Sequence, residues 1–179
     1  MNNNGLKNIK LDSLIIGAGF SGLYQLIALR NRLGFSTKIL EAGNGIGGTW
    51  YWNRYPGAKF DSASYIYQYL FDENLYKDWS WSEKFPEQPE IEKWMNYVAD
   101  RLDLRRDIHL NTTIKSAQWD QEARRWKLLT TDNQIIDCQF LVSCTGMLSA
   151  PLEEPFPGIR EFQGRVFHTA RWPKEDIDF

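Results

Sequence analysis

The sequence predicts an α/β domain organised around a parallel sheet with a crossover helix, joined to a small antiparallel β-meander. Three observations carry that prediction. Residues 11–16 form a short apolar run with a hard glycine stop, as expected of a strand buried on both faces. Leu23, Leu26, Ile27 and Arg30 then recur at helical spacing across residues 20–33, with Gly34 placed as a C-terminal cap. A second run, Thr37–Leu40, ends at Glu41 and closes a strand–helix–strand unit about the size of a minimal right-handed crossover.

The remaining elements follow in order. Residues 1–10 are polar, Asn-rich and expected to be flexible. Residues 42–64 hold six glycines or prolines and a cluster of aromatics, which predicts a long functional loop. Ile91, Trp94, Val98 and Leu102 share one face of a helix predicted over 86–104. Residues 108–110, 114–119, 125–130 and 135–138 alternate as short strands, separated by turns at 120–123 and 132–134, and predict the meander. Residues 140–144 read as a last buried strand. Three prolines between Pro151 and Pro157 open a linker over 151–179, which leaves 11–150 as the main domain.

Composition limits the function classes. The 179 residues are 42% hydrophobic and 25% charged, which fits a globular domain and excludes a fibrous or disordered one. A net charge of −2 predicts neither a nucleic-acid footprint nor a polybasic membrane patch. Lys7 and Lys10 precede an apolar stretch, but Asp12 interrupts it and no small-residue cleavage site follows. The uncharged run 13–29 is short and glycine-rich for a membrane span. Cys138 and Cys144 cannot form a disulfide framework and suit a reducing, cytoplasmic setting as small apolar packers. No Cys–His spacing predicts a metal. His109 is expected to face solvent from a strand, and Glu153 and Glu154 to be solvated linker charge. Eight tryptophans predict either a thick core or a surface built for a planar ligand.

The chemistry concentrates at the first turn. Gly17-Ala18-Gly19-Phe20-Ser21-Gly22 fits G-x-G-x-x-G between a predicted strand and a predicted helix, and Glu41 ends the next strand. This is the context of a Rossmann-like dinucleotide site. Gly17 permits the tight turn, Gly19 removes a β-carbon that would block a pyrophosphate, and Gly22 lets helix and strand pack closely. Free amides and the helix dipole favour the anion, while Glu41 accepts ribose hydroxyls and repels a 2′-phosphate. The adenosine half of FAD or NAD fits. A second glycine pair after the acidic residue, Gly47-Gly48-Thr49-Trp50, favours FAD.

Residues 47–61, GGTWYWNRYPGAKFD, resemble the flavin loop of the Baeyer–Villiger monooxygenases. Residues 162–173, FQGRVFHTARWP, resemble that family's fingerprint F-x-G-x-x-x-H-x-x-x-W-P/D at Phe162, Gly164, His168, Trp172 and Pro173. The likeness runs from Leu11 to Phe179. It implies an FAD reduced by NADPH, which binds O2 as a C4a-peroxyflavin and inserts oxygen beside a ketone carbonyl to give an ester or lactone. By the resemblance Ser21, Glu41, Thr49, Trp50, Tyr51 and Trp52 line the FAD, together with Gly17, Gly19, Gly22 and Gly48. Ile114 presents strand backbone to the adenine, and Tyr67 contacts the flavin. Asp61 is the candidate catalytic residue, placed near the nicotinamide to orient an active-site arginine. His168 implies a conformational role in a connector between domains.

Lys59, Phe60, Ser62 and Ala63 depart from the family pattern and blur the nicotinamide contacts and substrate class. Relatives in the family are far longer and carry a second glycine turn for NADPH. The expectation is therefore an incomplete FAD-binding domain, an N-terminal fragment inactive by itself, with a ketone and O2 as the partners of the whole enzyme. Two other readings stay open: an N- or S-oxygenating flavin monooxygenase, against which Trp172-Pro173 argues, and a non-catalytic FAD-binding module. Oligomeric state is not readable.

Overall fold

In a computed structural model, which describes residues 6, 9–154, 156–173, 175, 177 and 178, the predicted crossover unit is built as β1 (Ile9–Ile16), α1 (Phe20–Leu26) and β2 (Thr37–Leu40). Helix α1 runs on as a π-helical segment, Ile27–Arg32, in which Leu33 N–H donates to Ala28 O at 3.2 Å. Gly34, at φ +71°, then reverses the chain into β2. Leu14, Ile15, Leu23, Leu26 and Ile39 are fully buried, so this unit nucleates the core from both strands and the helix.

Strand β1 starts earlier than the sequence implies. Ile9 pairs with Ile136 and Lys10 with Asp137, and Leu6 is buried. Residues 9 and 10 therefore belong to the sheet and not to a flexible N-terminus; the rest of that stretch, 1–5, 7 and 8, lies outside the described residues.

Beyond β2 come α2 (Thr49–Trp52), α3 (Glu73–Lys77) and α4 (Gln88–Arg101). Helix α3, unpredicted, is capped by Asp72 Oδ1, which accepts from Asn74 N–H (3.0 Å) and Leu75 N–H (3.3 Å). Helix α4 buries Trp94, Met95, Val98 and Ala99 against the crossover unit, and Ile91 is buried on the same helix. Trp94 collects Trp79, Trp81 and Tyr97 around it with ring centroids 5.3–5.7 Å apart.

The strands β3 (Ile108–His109), β4 (Ile114–Asp120), β5 (Arg125–Thr130) and β6 (Ile135–Ser143) complete one sheet of order β3-β2-β1-β6-β5-β4. Two expectations are corrected here. Strand β3 pairs parallel with β2 through Ile39–Ile108 and Leu40–His109, so it is the edge of the parallel half and no part of the meander. The runs 135–138 and 140–144 are one continuous strand, parallel to β1 and antiparallel to β5. The apolar pattern breaks at Gln139, where β5 stops pairing with β6, and Phe140 beyond it is 47% exposed. A mixed sheet results, with four parallel strands and a three-stranded antiparallel extension sharing β6.

Arg30 ties the crossover helix to the chain entering β3. It donates to the carbonyls of Leu102 (3.1 Å) and Asp103 (2.9 Å) and pairs with Asp107 at 2.7 Å. Asp107 also receives Lys38 at 2.9 Å. Burial works against the Asp107 carboxylate, but the two cations outweigh it and hold the carboxyl below its ordinary value. Among the described residues no helix is long and apolar enough to cross a membrane.

Candidate functional site

The carboxyl ends of β1, β2 and β6 open onto a cleft of about 610 Å³, where ligands of open α/β sheets characteristically bind. One wall is the glycine turn. Gly17 adopts φ +101°, and a β-carbon there would stand 2.5 Å from Cys144 O. A β-carbon on Gly22 would overlap Gly17 O, so the helix can approach β1 only with glycine at that position. Leu23 N–H makes the first intrahelical bond, to Gly19 O at 3.0 Å. The amides of Phe20, Ser21 and Gly22 ahead of it stand at the helix start, where the dipole favours an anion.

The second glycine loop meets the first. Gly48, at φ +56°, would bring a β-carbon to 2.7 Å from Gly19 Cα, and Gly19 would bring one to 3.3 Å from Gly48 Cα. Gly19 is therefore required by loop–loop contact as well as by space for a phosphate.

Glu41 lies at the head of β2, 5% exposed. Its Oε2 accepts from Ala18 N–H at 2.7 Å and its Oε1 from Gly43 N–H at 2.8 Å. Each carboxylate oxygen keeps a further lone pair, so the group can still take hydroxyl donors from the cleft. Among the described residues no lysine or arginine lines the cleft, leaving Glu41 as the charged side chain of its lining.

The opposite wall is aromatic. Trp50, Trp52 and Tyr67 face the cleft, and Trp50 Nε1–H donates to Tyr67 Oη at 2.8 Å. Phe60, buried, backs them with its ring 4.3 Å from Tyr67 and 5.3 Å from Trp50. Thr112, Thr113 and Ile114 close one end, and residues 143–149 another. The tryptophans thus serve both expected purposes: Trp94 fills the core, and Trp50 and Trp52 build a surface suited to a planar ligand.

Of the residues singled out in the sequence, Gly17, Gly19, Ser21, Glu41, Gly48, Thr49, Trp50, Trp52, Tyr67 and Ile114 line this one cleft. Gly22 lies beneath it, buried. Tyr51 departs from expectation. Helical rotation turns its ring away from the cleft, over Gly43 and Gly45, where it bonds Asn44 and lies under the Arg54 guanidinium at 4.8 Å. Asp61 is exposed and is not part of the cleft lining.

Thr112, Thr113 and the 143–149 segment carried no sequence signal, since only sheet order brings them to the cleft. The cysteines pack as expected: burial pushes the Cys138 thiol up to about 11 and raises that of Cys144. His109 is corrected. It is half-buried, with Nε2 enclosed and without a hydrogen-bond partner. Burial, helped by Lys38 and partly opposed by Asp107, lowers its pKa. In the fingerprint segment, His168 Nδ1 accepts from Ala170 N–H at 3.1 Å and caps the turn Thr169–Arg171, while Gly164 is packed against the Phe162 ring. Glu153 and Glu154 are exposed. Among the described residues no group of His, Cys, Asp and Glu could hold a metal ion.

Strand ends, glycine turn and acidic residue define a dinucleotide-binding domain of Rossmann type, and residues 15–80 match the model of the NAD(P)-binding Rossmann-like domain. More specifically, the chain is homologous to the Baeyer–Villiger monooxygenases. It is 60% identical to acetone monooxygenase (methyl acetate-forming) of Gordonia sp. strain TY-5, over 94% of this chain and 32% of the relative. It is 41% identical to a Baeyer–Villiger monooxygenase of Pseudooceanicola batsensis (93% and 30%). It is 40% identical to phenazine N-monooxygenase PhzNO1 of Lysobacter antibioticus (92% and 30%). A solved structure, the OTEMO complex with FAD and NADP, matches with TM-score 0.83 and 41% identity, covering 91% of this chain and 31% of that one. The chain spans about a third of the length of the curated relatives it matches.

Proposed function

We propose that the cleft holds FAD and that the chain is the FAD-binding portion of an NADPH-dependent monooxygenase. Residues 11–150 form that portion, and residues 151–179 connect it to an NADP-binding part. The observation that carries this reading is the convergence of a basic-residue-free glycine turn, the buried Glu41 carboxylate and the Trp50–Tyr67 wall on one cleft. The residues fit the group: amides for a pyrophosphate, a carboxylate with spare acceptor capacity for ribose, and aromatic faces for a planar ring.

In the roles assigned here, Gly17, Gly19, Ser21 and Gly22 cradle the pyrophosphate and Glu41 takes the ribose. Ile114 borders the adenine, while Gly48, Thr49, Trp50, Trp52 and Tyr67 enclose the flavin side. Tyr51 acts from behind, as a wedge that fixes the turn. FAD, when bound and reduced by NADPH, would supply the electrons that activate O2, while these residues would orient the cofactor and exclude water. Asp61 sits outside the cleft, where it orients a cation from the remainder of the enzyme.

The homology to acetone monooxygenase favours a small ketone as the substrate, with O2 as co-substrate and an ester as product. The phenazine N-monooxygenase relative gives N-oxygenation as the second reading. Acetone against phenazine turnover by the whole enzyme separates the two. A cytoplasmic location completes the proposal, in keeping with the free cysteines.

Binding is tested by titrating FAD and following flavin fluorescence. The protein should retain yellow flavin through gel filtration, and Glu41→Ala should weaken affinity by roughly 10- to 100-fold, the worth of hydrogen bonds to a charged group. Protein that stays colourless in excess FAD overturns the reading.

A further inference from the structure

Helix α2, which carries the aromatic wall, is four residues long. Nothing intrinsic holds so short a helix, because nucleation is unfavourable and the carbonyls of its last turn have no helical partners. Each of its first three carbonyls is nevertheless taken. Thr49 O accepts from Asn53 N–H and Asn53 Nδ2–H, both at 2.9 Å. Tyr51 O accepts from Arg54 Nε–H at 2.7 Å. Trp50 O accepts from the carboxamide of Gln88, which comes from the first turn of α4 and is 7% exposed.

The two clamps on Trp50 and Tyr51 are joined. Glu92, one turn along α4, accepts from Gln88 Nε2–H at 2.9 Å through Oε2 and from Arg54 at 2.8 Å through Oε1. A single carboxylate therefore orients both donors that hold α2 in place.

We infer that Gln88 and Glu92 are positioning residues that set the depth and tilt of the Trp50 wall in the cleft, so that α4 fixes the carbonyl side of a helix whose amides the Gly47 and Gly48 carbonyls hold. The inference rests on the flavin reading for its functional meaning. The positioning itself is independent of flavin.

Three variants test it. Gln88→Met keeps volume and removes the donor; Gln88→Glu is an isostere that can donate only when protonated; Glu92→Gln removes the charge while leaving an acceptor. In protein without FAD, amide exchange at Trp52 and Asn53 should quicken by about tenfold in Gln88→Met, with β1 and β2 unchanged. Acidification should restore the protection factor, the exchange rate taken relative to the intrinsic rate at each pH, in Gln88→Glu but not in Gln88→Met, a signature that loss of packing would not give. With FAD, Gln88→Met should raise Kd by about tenfold on the Trp50 background and by less than about twofold on Trp50→Ala. Glu92→Gln should show a smaller change in the same direction. Unaltered exchange at Trp52 and Asn53, or equal FAD effects on both backgrounds, overturns the inference. Failure of the parent protein to bind FAD would instead sink the flavin reading and leave the exchange result to decide positioning.

Discussion

The two walls of the cleft are held in different ways. At the glycine wall, backbone touches backbone: Gly22 against Gly17, Gly17 against Cys144, Gly19 against Gly48. At the aromatic wall, backbone is held by side chains: Gln88 from the distant helix α4 and Arg54 from just beyond α2, both oriented by Glu92 of α4. The first arrangement has no slack, since a single methyl group must displace main chain. The second is adjustable, since its fasteners can be changed without a clash. One wall should therefore respond to mutation abruptly and the other by degrees.

The largest effect is expected at Gly22. Gly22→Ala places a methyl group into Gly17 O and should cost about 3 kcal/mol, abolishing FAD retention; a melting temperature within a degree of the parent would contradict the rigid-wall picture. Gly48→Ala combines a left-handed φ with the approach to Gly19. It should cost about 1–3 kcal/mol, read from denaturant midpoints.

Next comes pH. Burial in the folded protein disfavours protonation of His109, so below about pH 6.5 the unfolded chain takes up a proton more readily than the folded one. Stability should fall as pH drops through that region. Asp107, held low by Arg30 and Lys38, adds a second loss further into acid, as the pH falls from the ordinary carboxylate range toward its folded value. Urea unfolding of His109→Phe should lose the first of these steps and keep the second.

The smallest effect is expected at the back of the adjustable wall. Tyr51→Phe removes only an exposed hydrogen bond to Asn44 and should change stability by under about 0.5 kcal/mol, with FAD affinity unmoved. A tenfold loss of affinity would mean that Tyr51 reaches the cleft after all.

The same division governs what the sequence made legible. Gly17, Gly19, Gly22 and Glu41 could be read because strand, turn, helix and strand are contiguous and each constraint is local. The fasteners of the aromatic wall could not, because Gln88 meets Trp50 across a sequence separation of 38. Strand β3 was misassigned for a related reason: two residues of alternating pattern do not declare whether a neighbour runs parallel or antiparallel. The split of β6 fell at Gln139, a polar residue between two apolar runs, which marks where β5 stops pairing and not where the strand ends. Tyr51 stands apart from Trp50 and Trp52 because a helical turn sends neighbouring side chains to different sides, which three consecutive aromatics in a sequence do not declare.

The scarcity of cationic side chains around the cleft has a practical corollary. A diphosphate seated on peptide dipoles exchanges no loosely held counterions, so molar sodium chloride has little to screen. Affinity should be nearly flat across ionic strength, and prosthetic flavin should survive high-salt chromatography. Stripping it would call for loosening the main chain itself, with a chaotrope or with acid.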